Sequence, residues 1–159
     1  MDINMQSAHF VAPGGGTKLW VMSELITFIV GTEETGGRYA LTDSLVPPRG
    51  EVPPHFHERE DEAFWVLEGE LEILVGEERF RAGPGAFAHL PRGVPHAYRN
   101  VGEGIARFLT LMVPAGLERF FKEVGTPAAH NSMPPPGDEA DLAKVIEIAS
   151  RYGVTIEDV

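Results

Sequence analysis

Two clusters constrain this chain more than anything else in it. The first runs Gly50-Glu-Val-Pro-Pro-His55-Phe-His57-Glu-Arg-Glu-Asp-Glu62-Ala-Phe-Trp-Val-Leu-Glu-Gly69. The second runs Gly85-Ala-Phe-Ala-His-Leu-Pro91-Arg-Gly93-Val-Pro-His96-Ala-Tyr-Arg-Asn100. Together they set three imidazoles and a carboxylate in β-like sequence. His55 and His57 are two apart, so on a strand both project from one face. Glu62 shares parity with Phe64 and Val66, and His96 with Tyr98 and Asn100. Four donors from three strands meet only if those strands wrap around a common interior. The spacing therefore predicts an all-β barrel with a divalent metal inside.

Strand-like segments occupy most of the chain from Leu19 to Val113, punctuated by Gly and Pro as sandwiches and barrels require. The expected strands are Leu19–Met22, Leu25–Val30, Arg38–Val46, Glu62–Leu67, Glu70–Val75, Arg79–Arg81, Ala86–Leu90, His96–Asn100 and Ala106–Val113. Glu68-Gly69 reads as a hairpin turn and Gly76-Glu77-Glu78 as a second tight reversal. Pro47-Pro48 and Pro53-Pro54 make a stiff approach to the histidines, because proline fixes φ.

Two helices are expected after the strands. In Gly116–Gly125, Leu117, Phe120, Phe121 and Val124 form one stripe. In Asp138–Tyr152, Leu142, Val145, Ile146, Ala149 and Tyr152 form another, with Asp138 as N-cap. Both are expected to cover the outside or one mouth of the barrel. The expected layout is a mobile segment 1–17, a barrel with a capping helix over 18–125, and a Pro-rich linker with a terminal helix over 126–159.

Composition bounds the partners. The 159 residues carry a formal charge of -11, and the pI is near 4.9. Nucleic acid and anionic membrane are disfavoured, since phosphate contacts need clustered Lys and Arg. Cysteine is absent, which removes disulfides, thiolate metal sites and a cysteine nucleophile. No long apolar run occurs, and Met1-Asp-Ile-Asn-Met lacks a signal-peptide signature, so a soluble cytoplasmic protein is expected.

A His, His, Glu, His set suits Fe, Ni, Co, Mn, Cu or Zn, whereas calcium and magnesium prefer all-oxygen sites. On an octahedral ion it leaves two positions open, as catalytic sites do. Glu58, Glu60 and Asp61 read as acids that could simply solvate a loop. Asn100 reads as a turn lock, and His89 as a surface, core or pocket histidine off the pattern. His9 and His130 carry little weight. Phe64, Val66, Phe87, Tyr98, Phe108 and Met112 are the candidate pocket lining, with Tyr39 and Trp65 of ambiguous face. No inward Arg and Lys cluster is apparent, which speaks against a phosphorylated sugar.

The two clusters resemble the paired motifs of the cupin superfamily. His55, His57, Glu62 and Gly69 match the first motif, although Gly50 stands one residue nearer His55 than usual. Gly85, Pro91, Gly93, His96 and Asn100 match the second at every gap. The wider chain is similar to small single-domain cupins of the quercetin 2,3-dioxygenase-like group, notably at Gly36-Gly-Arg-Tyr39, Asp61–Glu72 and Pro91–Gly102. The resemblance implies a double-stranded β-helix, or jelly-roll barrel, with short C-terminal helices. It implies one divalent ion on His55, His57, Glu62 and His96, with Glu62 also taking a proton from the substrate. The expected function is a metal-dependent dioxygenase that opens a flavonol-like or enediol-bearing small molecule with O2. An isomerase, lyase or decarboxylase working without O2 is the alternative, or a non-enzymatic small-molecule binder. A homodimer is expected from the same resemblance, with the Leu19–Val30 edge needing cover.

Overall fold

In the computed structural model of the protein, residues 7–129, 131–135 and 141–157 are described. The strands are β1 (Thr17–Val21), β2 (Glu24–Val30), β3 (Ala40–Val46), β4 (Glu51–His57), β5 (Asp61–Glu68), β6 (Leu71–Val75), β7 (Glu78–Ala82), β8 (Phe87–Leu90), β9 (His96–Asn100), β10 (Ala106–Val113), β11 (Thr126–Pro127) and β12 (Val154–Ile156). Among the described residues the helices are α1 (Thr32–Thr35), α2 (Leu117–Val124) and α3 (Leu142–Arg151). One sheet has the order β11-β1-β2-β3-β10-β5-β8 and the other β12-β4-β9-β6-β7. The strand pairs are antiparallel, and the two sheets form the jelly roll expected from the sequence.

Alternation is plain where it matters. In β3, Ala40, Thr42, Ser44 and Val46 are buried while the residues between them are half-exposed. β10 does the same with Ala106, Phe108, Thr110 and Met112, and β5 with Glu62, Phe64 and Val66. One end of the interior is packed solid by Val46, Val66, Leu71, Ile73, Leu90 and Phe108. The other end is closed by a second apolar cluster, where Met112 meets Leu117 and Phe120 of α2, Val145 and Ile148 of α3, and Val154 of β12. Thr42, Ser44, Glu62 and Thr110 are buried polar residues that belong to neither cluster.

Four expectations need correction. Glu68-Gly69 is not a hairpin: β5 and β6 belong to different sheets, so the segment carries the chain across the sandwich. Gly69 has φ 74°, and a Cβ there would come within 2.7 Å of Ala106 Cα, which demands glycine at this corner. The expected reversal at Gly76-Glu77-Glu78 is present, but its loop is Gly76-Glu77 alone, because Glu78 already pairs with Val75 in β7. Second, the Pro-rich approach is itself a strand, β4, with a bulge at its prolines. Third, α3 starts after Asp141, whose carboxylate accepts from the Lys144 N–H, while Asp138 lies outside the described residues. Fourth, α3 buries Ile148 and leaves Ile146 38% exposed, because its inner face is set by the contact with β12 and α2. The outer edge of β1 is covered within the chain by β11.

Asn100 is a lock between strands and loops. Its side-chain N–H groups donate to the carbonyls of Val46 and Gly104, and its carbonyl oxygen accepts from the Gly102 N–H. It is 2% exposed, so truncation leaves buried backbone groups without partners. Asn100→Ala should lower stability by about 3 kcal/mol, read as a drop in the urea midpoint at unchanged m-value.

Candidate metal centre

The prolines aim the histidines. Val52 of β4 lies opposite Tyr98 of β9, and His55 lies opposite His96, so the register slips by one residue across Pro53-Pro54. Proline has no N–H for the ladder, which makes this the natural place for a bulge. The slip lets Val52 and His55, three apart, both line the same cavity. Without it, strand parity would turn His55 and His57 outward. Glu62 reaches the same point from β5 in the facing sheet.

The donor atoms of His55, His57, Glu62 and His96 all lie within 4.8 Å of one another, and all four side chains are buried. Glu62 Oε2 is the hub, 3.0 Å from His96 Nε2 and 3.2 Å from His57 Nε2. His55 Nδ1 lies 2.8 Å from the Pro53 carbonyl, to which it can only donate. That leaves His55 Nε2 as a lone-pair donor. His96 Nδ1 faces the Val94 carbonyl at 3.2 Å, so both nitrogens of His96 face oxygen acceptors. Among the described residues neither ring nitrogen of buried His57 has an aligned hydrogen bond: Nε2 meets Glu62 only as the 3.2 Å contact, and Nδ1 has no partner. Orphaned nitrogens, and an imidazole facing acceptors on both sides, call for a cation. The quartet fits a divalent transition ion.

Electrostatics agree. Burial pushes Glu62 up, but the facing imidazoles of His57 and His96 outweigh it and hold the carboxyl well below its usual range. Burial, with His96 and His57 nearby, brings His55 down to about 4, so it is neutral and able to ligate at neutral pH. His57 is also opposed by burial, yet Glu62 carries it above its ordinary value.

A cavity of about 90 Å³ opens beside the quartet, lined by His55, His57 and Glu62. Among the candidate lining residues, Phe64 and Tyr98 face it. Phe108 and Val66 are packed in the solid end of the core, and Met112 in the apolar cluster at the other end. Phe87 lies on the outside at 62% exposure against Trp65, since its parity on β8 points away from the interior. Trp65 and Tyr39 are exposed, as is His89; His9 meets the Ile29 carbonyl, and His130 lies outside the described residues. Glu60 is buried and does not solvate a loop; Glu58 is exposed, and Asp61 accepts from the Arg92 N–H.

One lining residue escaped the sequence reading. Glu24, 3% exposed at the head of β2, accepts a hydrogen bond of 2.5 Å from the Tyr98 hydroxyl. Its parity with Ile26 and Phe28 was the available signal. Burial raises Glu24 to about 7, against the opposing pull of the Tyr98 hydroxyl.

The Cupin domain family model matches residues 43–113. Quercetin 2,3-dioxygenase of Bacillus subtilis (strain 168) is 26% identical over 126 residues, which cover 79% of this chain and 37% of that protein. The chain thus spans well under half the length of that curated relative. Among solved structures, a predicted oxalate decarboxylase from Thermotoga maritima superposes with TM-score 0.62 at 19% identity, over 66% of this chain and 98% of that one. The polyketide cyclase RemF from Streptomyces resistomycificus gives TM-score 0.59 at 26% identity, over 67% and 80% respectively. At 19% identity the first of these bears on the fold alone.

Replacing one ligand should empty the site. His96→Ala is expected to weaken metal binding by no less than the roughly 10- to 100-fold that loss of an outer-shell partner costs, measured by elemental analysis after dialysis. A second outcome concerns Glu24. Its folded value of about 7 lies above the ordinary 4.5, so its stabilising contribution is full below pH 4.5 and lost as pH rises through 7. Glu24→Gln should remove a decline of about 3 kcal/mol over that window, seen as the wild-type-minus-variant difference in urea unfolding.

Proposed function

We propose that this chain, whose residues 43–113 match the Cupin domain family model, is a divalent-metal-dependent dioxygenase of the cupin kind acting on a compact, enediol-bearing molecule. The observation that carries this reading is the convergence of four buried donors beside a cavity that stays open. An ion bound there would supply a Lewis acid that acidifies a substrate hydroxyl and holds it for reaction with O2. His55, His57 and His96 would hold the ion with Glu62. Glu62 would also accept the hydroxyl proton, a role supported by its position at the hub of the cluster and by its lining of the cavity. Phe120 and Phe121 of α2, Val145 of α3, and Val154 and Ile156 of β12 give the cavity an apolar side, which would disfavour water next to the ion.

Size separates the two substrate classes. A cavity of about 90 Å³ falls well below the roughly 300 Å³ at which drug-sized pockets begin. A flavonol would need the phenylalanines of α2 and the C-terminal segment to move aside; a small enediol would not. The O2-free isomerase, lyase or decarboxylase reading draws on one observation, that Glu24 and Glu62 both border the cavity and offer two carboxyls for proton shuttling. The homodimer belongs to the same proposal. Trp65, Phe87, Leu111 and Val113 expose apolar surface on neighbouring strands β5, β8 and β10, which suits a partner copy.

Protein loaded in turn with Fe, Ni, Co, Mn and Cu should consume O2 with a small enediol faster than with a flavonol, and not at all when metal-free. Glu62→Gln should cut turnover by about 100-fold or more while keeping most of its metal. Turnover under strict anaerobiosis would instead establish the O2-free reading, and tight binding without product would make the chain a binder.

A further inference from the structure

The cavity has two chemically distinct ends. At one stand His55, His57 and Glu62; beyond them the lining includes Glu24 from β2, Tyr98 from β9, Thr42 and Ser44 from β3, and Thr110 from β10. Thr42, Ser44 and Thr110 are each no more than 5% exposed, and they replace apolar residues at inward positions of central strands. Thr110 pairs with Thr42 across the ladder, and Ser44 lies opposite Ile26, two residues along from Glu24. This polar patch is out of place in a barrel interior unless something polar meets it. Tyr98 follows His96 by two residues on β9, so the patch begins about 7 Å along the strand from the metal quartet.

Charge narrows what the patch accepts. Among the described residues, no Lys or Arg lines the cavity, whereas two carboxyls do. A ligand carboxylate or phosphate at the far end would sit beside Glu24 with no cation to meet it, at a steep cost in a low-dielectric interior. A hydroxyl or carbonyl oxygen would instead find a carboxyl and three alcohol groups able to donate or accept. Glu24 has one hydrogen bond among the described residues, from Tyr98, and so keeps capacity for a ligand. Its raised pKa leaves a large protonated fraction near neutrality, suited to donating to such an oxygen.

We propose that Glu24, positioned by Tyr98 and flanked by Thr42, Ser44 and Thr110, forms a specificity subsite that binds the hydroxyl-bearing, uncharged end of a small ligand whose other end lies at the metal quartet. The subsite deepens the function proposed above and rests on the metal reading. It selects a neutral hydroxy-carbonyl or enediol compound over a dicarboxylate of similar size. Glu24 contacts the ligand directly; Tyr98 is a positioning residue that holds the carboxyl toward it.

Three hydroxamates with one metal-binding head and different tails test this on zinc-loaded full-length protein. Acetohydroxamate ends in methyl, glycolohydroxamate in hydroxymethyl, and malonomonohydroxamate in a carboxylate. By calorimetry the hydroxymethyl tail should bind roughly 5- to 10-fold tighter than methyl, the worth of about one buried hydrogen bond, and the carboxylate tail weaker than methyl. Glu24→Ala should erase the hydroxymethyl advantage without changing zinc content or acetohydroxamate affinity. Tyr98→Phe should reduce that advantage. Should Glu24→Ala fail to fold, the isosteric Glu24→Gln serves: it should keep the hydroxymethyl advantage and raise affinity for the carboxylate tail. Equal affinity for the methyl and hydroxymethyl tails in wild type, or an advantage untouched in Glu24→Ala, overturns the subsite while leaving the metal reading intact. Protein that retains no zinc and binds no hydroxamate overturns the metal reading and the subsite with it.

Discussion

A buried carboxylate encircled by three imidazoles sets the terms for the rest of this molecule. Glu62 is sealed from water, and its charge is tolerated only because His57 and His96 stand within 3.2 Å of one of its oxygens. Among the described residues the imidazoles in turn have no better partners: His57 has no aligned hydrogen bond, and His96 faces acceptors on both sides. The cluster is strongly coupled electrostatically and calls for a positive ion at its centre. Everything around it serves to hold four side chains from two facing sheets to that point.

The surrounding β-structure does so by division of labour along the barrel. One end is filled solid, with Phe108, Leu71 and Ile73 fully buried, and this gives the strands a rigid base. The other end is closed by α2, α3 and β12, the last of which pairs with the histidine strand itself through His57, Phe56 and His55. The cavity that lies beside the metal quartet is lined by the buried polar residues Glu24, Thr42, Ser44, His57, Glu62 and Thr110. The strand bearing two ligands is thus braced on both edges, by β9 and by β12, while its prolines place the bulge that turns the imidazoles inward. Rigid support of this kind keeps a ligand set within the tolerances a metal demands.

The solved structures with this fold include a decarboxylase assignment and a cyclase, so the barrel alone does not choose a reaction. Selection has to come from what lines the cavity. Here the lining is acidic and hydroxylated at one side, apolar across the mouth, and small in volume. Those properties belong to this chain's own residues, and the proposed preference for compact neutral oxygenated ligands rests on them.

Much of this was legible in the chain itself. Strand parity, motif spacing and glycine punctuation are local, so the barrel class, the four converging donors, the Gly76 reversal and the locking role of Asn100 could all be read from residues close in sequence. What the amino-acid order left open depends on which distant strands become neighbours. That Glu68-Gly69 crosses between sheets, and that Phe87 faces outward, follow from pairing partners many residues away. The choice of Ile148 over Ile146 follows from the packing of α3 against β12 and α2. Glu24 shows the same limit most clearly. An acid at the head of a strand is ordinarily a solvated residue, and only the closing of β9 over β2, with Tyr98 brought to its carboxyl, buries it beside the cavity. Parity offers Glu24 the inward face, but what covers that face is a property of the assembled barrel, decided by long-range contacts.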